Sequence, residues 1–142
     1  KESLVKPNAI CYTTVINAWA RGSSVPAKIA LKRVEELLEH METEFAKTRD
    51  PSIRPSKITY ISVMDAYGRK CKKAKAASKA QASVDRMVKL YARDEGYDRP
   101  TRIVFNALIN AYSKSDDPNA APQAEKIFRW MEAQYRAGDD YV

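Results

Sequence analysis

The segment "ICYTTVINAWAR" at residues 10–21 is written twice more along the chain, as "ITYISVMDAYGR" at 58–69 and as "IVFNALINAYSK" at 103–114. Each copy has a proline five residues before an aligned aromatic, an isoleucine two residues before it, and an alanine followed by a second aromatic after it. The aligned aromatics are Tyr12, Tyr60 and Phe105. Self-similarity of this kind is the sequence signature of a repeat architecture.

A second block follows each copy and contains a Met four residues before an aromatic. The pairs are Met41 and Phe45, Met87 and Tyr91, and Met131 and Tyr135. Successive units are therefore 48 and 45 residues apart by the first block, and 46 and 44 residues apart by the second. The chain repeats with a period of about 46 residues, within the range of helical repeat units.

Both blocks have the periodicity of an α-helix. Tyr12, Val15, Ile16 and Trp19 recur at i, i+3, i+4 and i+7, which places them on one helical face. The second block keeps the same period over more turns. Breakers separate the two blocks, as in "RGSSVP" at 21–26 and "SKSDDPNAAP" at 113–122, whereas the middle unit has a basic run with good helix propensity after Gly68. Each unit is predicted to be a helix, a short turn and a longer helix.

One such helical hairpin cannot bury its apolar stripe alone, but stacked hairpins can. The predicted fold is therefore all-α, with helix-turn-helix repeats stacked into an α-α superhelix, or solenoid. We expect one helical-repeat domain over 1–142, with units at about 8–55, 56–100 and 101–142, the last of them cut short. Because the chain begins at Lys1 rather than Met, we expect a fragment or a processed form, and no targeting segment is visible.

Composition narrows the class of function. The net charge of +7 and the pI near 9.4 favour a polyanionic partner, either nucleic acid or an anionic membrane surface, and do not choose between them. One histidine and two cysteines 60 residues apart offer no usual zinc ligand set, so we expect no metal and no cofactor, and a reducing, intracellular setting. No apolar run is long enough to span a bilayer. Glycine-rich phosphate loops, GxSxG and HExxH are all missing, so we expect no enzymatic activity and no small-molecule substrate.

Three stretches carry a family resemblance: "KPNAICYTTVINAWAR" at 6–21, "RPSKITYISVMDAYGR" at 54–69 and "RPTRIVFNALINAYSK" at 99–114, each followed by a helical block that reaches a Met. In these motifs the chain resembles the pentatricopeptide repeat family, with units longer than is usual there. The resemblance implies sequence-selective binding of single-stranded RNA, one base per repeat. It also implies a larger protein in mitochondria or plastids that acts in RNA processing, stability or translation.

The residues themselves place a stripe beside the apolar face of each first helix, with an isoleucine and small polar side chains. Polar groups can bond a base edge, and an aliphatic side chain can pack on its flat face. By resemblance, the residue after the aromatic reads a base together with the last residue of the repeat. The implied pairs are Thr13 with Ser56 and Ile61 with Thr101, while the partner of Asn106 falls beyond Val142. The packing residues are Ile10, Ile58 and Ile103. Thr13 with Ser56 is expected to prefer adenine and Asn106 a pyrimidine, whereas Ile61 has no hydrogen-bonding group.

A cation stands nine residues after each aligned aromatic: Arg21, Arg69 and Lys114. Two interpretations stay open, a ladder of RNA phosphate contacts or cations that complement the negative end of a helix dipole. The segment 69–93 carries nine cations against Asp85 alone and holds a charge of +8. It would attract RNA if it bordered the base-reading stripe, or would serve solubility or an acidic protein partner if it did not.

A protein-binding scaffold of the tetratricopeptide type is the alternative to RNA binding. Those repeats have a period of about 34 residues and a different aromatic pattern, which this chain fits less well. A third hypothesis is that the segment only spaces other modules. We therefore expect single-stranded RNA as the main partner, with a protein partner possible and no membrane.

Overall fold

The computed structural model describes residues 4–94 and 96–138, and within these ranges the chain is helical with no strand. Three short helices alternate with three longer ones. The short, first helices of the units are α1 (Ala9–Arg21), α3 (Lys57–Lys70) and α5 (Arg102–Ser113). The long, second helices are α2 (Ala27–Thr48), α4 (Lys73–Arg93) and α6 (Ala120–Arg136). A single 3-10 turn, Pro51–Ile53, lies between α2 and α3.

The residue after each aligned proline is the N-cap of a first helix, and the side chains of Asn8 and Ser56 cap theirs, whereas that of Thr101 does not. The Asn8 side chain accepts a hydrogen bond from the backbone N–H of Cys11 at 3.1 Å. Ser56 and Thr59 form a capping box, in which each side chain accepts from the backbone N–H of the other. Such caps satisfy the amide groups that the first helical turn leaves unpaired. The predicted helix beginnings are confirmed at these two positions.

In the middle unit, the turn between the two helices is very short and lies after Gly68 rather than at it. Helix α3 continues through Gly68 to Lys70, and α4 starts at Lys73, so only two residues separate them. A glycine inside a helix, here Gly68, lowers helix stability by about 1 kcal/mol relative to alanine. Lys70, the last residue of α3, makes a tertiary contact. Its Nζ donates to the carbonyl oxygen of Gly22 at 2.6 Å.

The six helices pack against one another in a regular order. Each first helix packs on the second helix of its own unit, and α1 packs on α3 as α3 packs on α5. Helices α2 and α4 also pack on the first helix of the following unit. None of the helices in the two described ranges combines the length and the apolar character needed to cross a bilayer.

Two apolar clusters lie at the joints between units. The cluster between the first two units includes Ile16, Val34, Val63 and Tyr67. The cluster between the second and third units is centred on aromatic and methionine side chains, and its buried members are Tyr60, Met64, Ala80, Val84, Met87, Val104, Phe105 and Leu108. The apolar periodicity therefore predicted most of the core.

Val15 lies on the apolar face predicted for α1 but is not buried. Its repeat equivalents Val63 and Leu108 are fully buried, whereas Val15 is 45% exposed. In units two and three, this position packs towards the first helix of the preceding unit. The described residues supply no such helix before α1, so the side chain of Val15 faces solvent.

Candidate nucleic-acid interface

Tyrosine hydroxyls fix the rotation of the first helices. Tyr67 donates to the Glu35 carboxylate at 2.7 Å, and Tyr112 donates to the Gln81 side-chain carbonyl at 2.7 Å. Glu35 and Gln81 are repeat equivalents, each six residues before the aligned Met of its unit. The second aromatic of a first helix is thus anchored on the second helix of the preceding unit, which sets the side of the helix that faces solvent.

A buried carboxylate provides a further anchor in the middle unit. Tyr60 donates to Glu42 at 2.6 Å, and the guanidinium of Arg86 binds the same carboxylate at 2.7–3.0 Å. Burial, followed by the nearby Glu42 charge, raises the pKa of Tyr60 well above its usual value, and the bond to Glu42 raises the pKa of Arg86. One carboxylate therefore joins α2, α3 and α4.

Part of the basic segment 69–93 lies at the joint between the first two units. Lys70 and Arg86 bind groups of the preceding unit, and Lys79 lies 3.8 Å from Glu35. Three further lysines at the turn and the start of α4 are exposed, namely Lys72, Lys73 and Lys75. The segment therefore serves both as a joint between units and as a basic surface near the start of α4.

The three aligned isoleucines share one environment. Each is the second residue of its first helix, and Ile10, Ile58 and Ile103 are 74%, 53% and 53% exposed. Large aliphatic side chains are more often inside proteins than outside. Three at one repeat position, on first helices that pack side by side, form a regular apolar row in contact with solvent.

The first predicted set of RNA-binding residues lies together. Ile10, Thr13, Ser56 and Ile58 all line one open groove of about 490 Å³ between α1 and the start of α3. The Thr13 and Thr59 hydroxyls share a hydrogen bond of 2.9 Å, and the Thr59 and Ser56 hydroxyls lie 3.3 Å apart. The two side chains expected to read one base are thus connected through a third hydroxyl.

Thr59 was not a predicted site residue, although it is fully buried and holds both members of the pair. The signal for it was the Ser-x-x-Thr spacing at a helix start, which is a capping-box pattern. Arg54 was also missed. It lines the same groove, and its Nη1 donates to the Gly96 carbonyl oxygen at 3.1 Å.

The second predicted base-reading pair, Ile61 with Thr101, differs from Thr13 with Ser56 in its chemistry. Ile61 is half-buried and packs against the core cluster between units two and three. Thr101 stands at the N-cap of α5, but its hydroxyl oxygen is shielded from solvent and has no hydrogen-bond partner among the described residues. In the third unit, Asn106 is exposed. The groups at these equivalent positions therefore differ in chemistry and exposure from unit to unit.

The three aligned cations all lie at the C-terminal ends of first helices and are exposed. Arg69 forms an ion pair with Asp65 at 2.9 Å, one turn earlier in α3. Lys114 lines a shallow hollow of about 150 Å³ between α3 and α5, together with Ile61 and Asp65. Their positions suit the helix dipole, and all three side chains are accessible from solvent.

Linkers between units lock the spacing of the first helices. Lys57 donates its backbone N–H to Asp98 at 2.6 Å, and Arg49 pairs with Asp94 at 2.7 Å. The backbone N–H of Gly96, and then Arg49, lower the pKa of Asp94. The linker between α2 and α3 thus contacts the linker between α4 and α5, which holds α3 and α5 at a defined spacing.

The remaining chemistry is sparse. No cluster of three His, Cys, Asp or Glu side chains that could hold a metal ion occurs within 4–94 and 96–138. Cys11 and Cys71 are free thiols, and burial raises the pKa of Cys71. Comparison with known protein families, with curated proteins and with solved structures yields no match.

Proposed function

We propose that this chain binds single-stranded RNA along its first helices, as the lengthened repeats of a pentatricopeptide-like superhelix. The packing order, in which each unit touches the next through α1, α3 and α5, supports such a stack. In this proposal the chain serves transcripts of mitochondria or plastids, within a larger protein that acts in RNA processing, stability or translation.

The exposed isoleucine row is the observation that carries the proposal. Ile10, Ile58 and Ile103 occupy one register on neighbouring helices and face solvent. An aliphatic side chain at this spacing can pack against the flat faces of successive bases, and single-stranded RNA presents such unstacked bases. Burial of these side chains on binding would remove apolar surface from water.

Polar groups beside the row supply base selectivity in this proposal. Thr13 and Ser56, joined through Thr59, offer hydroxyls to the edge of an adenine. Asn106 offers both a donor and an acceptor to a pyrimidine. The middle unit contributes packing through Ile58 and Ile61 but little base discrimination, since an isoleucine cannot hydrogen-bond.

Cations at the ends of the first helices supply affinity that is independent of sequence. Arg21, Arg69 and Lys114 are exposed at equivalent positions, and contacts with phosphates release counterions from RNA. The exposed lysines near the start of α4 add to this basic field. These contacts position the RNA, whereas the groups beside the isoleucine row distinguish its bases.

Fluorescence anisotropy with short labelled RNAs tests the proposal. Changing Ile10, Ile58 and Ile103 together to alanine should weaken binding roughly a hundredfold, at about 1 kcal/mol for each partly buried side chain. Ile29→Ala is the control, because Ile29 is 52% exposed, close to Ile58 and Ile103, but lies on α2. Equal affinity of the triple variant and the control variant would refute RNA packing on this row.

A groove of about 540 Å³ between α4, α5 and α6 favours a second candidate, a protein-binding scaffold. Its lining includes Val84, Phe105 and Trp130, which suit an apolar peptide side chain. The same variants separate the two functions. A scaffold would bind a peptide whose affinity is unchanged by the isoleucine substitutions and would show no affinity for RNA.

A further inference from the structure

The hydroxyl of Thr59 contacts two residues that line the groove between α1 and the start of α3. Its oxygen accepts a hydrogen bond from the backbone N–H of Ser56 at 3.1 Å. It also lies 2.9 Å from the hydroxyl oxygen of Thr13 and 3.3 Å from that of Ser56, and in both contacts either oxygen can be the donor. Because the Thr59 side chain is fully buried, bulk water cannot replace any of these contacts.

A count of protons limits how the three hydroxyls can be arranged. A threonine hydroxyl has one proton and two lone pairs. The backbone N–H of Ser56 occupies one lone pair of Thr59, so one proton and one lone pair remain for its two hydroxyl neighbours. Thr59 therefore donates to one of them and accepts from the other. In the first arrangement it donates to Thr13 and accepts from Ser56, and in the second the two roles are exchanged.

These two arrangements decide what the pair Thr13 and Ser56 offers to a molecule in the groove, which both of them line. In the first arrangement the proton of Thr13 is available and that of Ser56 is engaged. In the second arrangement the proton of Ser56 is available and that of Thr13 is engaged. Both hydroxyls can donate to one ligand only if a contact with Thr59 is broken. The pair therefore provides one hydrogen-bond donor at a time.

The second predicted pair lacks this connection. Val104 occupies the repeat position of Thr59, three residues after the N-cap, and is fully buried without a hydroxyl. The hydroxyl oxygen of Thr101 is shielded from solvent and has no hydrogen-bond partner within the described part of the chain. Connected hydroxyls therefore occur where a threonine stands at this position and not where a valine does. Val104 also shows that a first helix accommodates valine here.

We infer that Thr59 is a positioning residue that limits Thr13 and Ser56 to one donor and so selects a base edge on which a donor adjoins an acceptor. The Watson–Crick edge of adenine has this form, with the N6 amino group as donor and N1 as acceptor. Guanine has the reverse order and fits the other arrangement, so Thr59 does not by itself separate the two purines. An edge with two adjacent acceptors is disfavoured, because it needs two donors. This inference rests on the proposed function, since it requires an RNA base in the groove.

Fluorescence anisotropy with a modified base tests the inference. A selection from random RNA with the wild type and with Thr13→Ala first identifies the position whose preference this substitution changes. Labelled RNAs then carry at that position either the selected base or its analogue with a methoxy group and two adjacent acceptors, which is 6-methoxypurine for adenine. The wild type should bind the selected base about tenfold more tightly, the scale of one hydrogen bond. Thr59→Val should lower this ratio to less than about threefold, because both hydroxyls are then able to donate.

Two control variants separate positioning from stability. Thr59→Ser retains the hydroxyl and should retain the ratio. Asn8→Ala removes the side-chain cap of α1 but none of the three hydroxyls, so it should lower the melting temperature and leave the ratio unchanged. A role of Thr59 in the capping box alone would weaken binding of both RNAs alike. Circular dichroism measures folding of every variant, and Thr59→Ala is a second variant without the hydroxyl.

The outcomes distinguish this inference from the proposed function. A wild type that binds no RNA refutes the proposed function and the role of Thr59 with it. A wild type that binds RNA but does not discriminate between the two bases, or for which Thr13→Ala changes no position, overturns the inference and leaves RNA packing on the isoleucine row intact. Discrimination that Thr59→Val retains, or that Thr59→Ser loses, likewise overturns the inference alone.

Discussion

Equivalent repeat positions carry different residues at the two joints, and exchanging them tests how the units are joined. Tyr60 and Glu42 form a polar pair across the first joint, with the hydroxyl 2.6 Å from a carboxylate that is only 8% exposed. The equivalent positions at the second joint are Phe105 and Val88, an apolar pair that lines the groove between α4 and α5. We predict that Glu42→Val alone destabilises the protein and that adding Tyr60→Phe restores most of the loss.

The magnitude follows from the groups left without partners. Glu42→Val leaves the buried Tyr60 hydroxyl without its acceptor, which costs about 1–3 kcal/mol. Loss of the ion pair adds at most about 1 kcal/mol, because the side chain of Arg86 is 55% exposed and remains hydrated. The double variant removes the hydroxyl as well, so its free energy of unfolding should lie within about 1 kcal/mol of the wild type.

Thermal unfolding followed by circular dichroism measures the wild type, Glu42→Val, Tyr60→Phe and the double variant. At about 3 °C for each kcal/mol in a chain of this size, a total loss of about 1–4 kcal/mol means that Glu42→Val should melt roughly 3–12 °C lower. A double-mutant cycle then gives a coupling free energy of about 1–2 kcal/mol between the two sites. Losses that simply add, with no recovery in the double variant, would refute the interpretation of Tyr60 and Glu42 as one polar unit interchangeable with Phe105 and Val88.

Three further predictions concern RNA binding and pH. Changing Arg21, Arg69 and Lys114 together to alanine should flatten the dependence of RNA affinity on salt concentration, measured by fluorescence anisotropy. An unchanged slope would exclude a ladder of phosphate contacts. Asn106→Ala should change preference at one base in an RNA selection and leave overall affinity similar, whereas uniform loss across sequences would contradict base reading. Burial raises the pKa of Tyr60 and Tyr67 above the usual value near 10, so the folded state retains protons that the unfolded chain releases. Stability should therefore be intact below pH 10 and fall above it in urea melts, and Tyr67→Phe should reduce that loss.

Local pattern determined the helices. The recurrence of Tyr12, Tyr60 and Phe105 with fixed apolar offsets predicted three short helices and the longer helices after them, because helix formation depends on neighbours three and four residues away. The same pattern predicted that Tyr60, Val63 and Met64 would be buried, and all three are. The family resemblance, rather than the periodicity, grouped Ile10, Thr13, Ser56 and Ile58, and these four side chains line one groove.

Only the tertiary structure decided what each position touches. Val15 and Val63 are the same residue at the same repeat position, yet one is exposed and the other buried, because α3 has a first helix packed before it and the described residues include none before α1. In the sequence Lys79 and Arg86 belong to a basic run, but in the structure they form ion pairs with Glu35 and Glu42 across the joint. Periodicity along a helix is encoded within a few residues, whereas burial and charge pairing depend on side chains more than 40 positions away, which sequence spacing alone does not bring together.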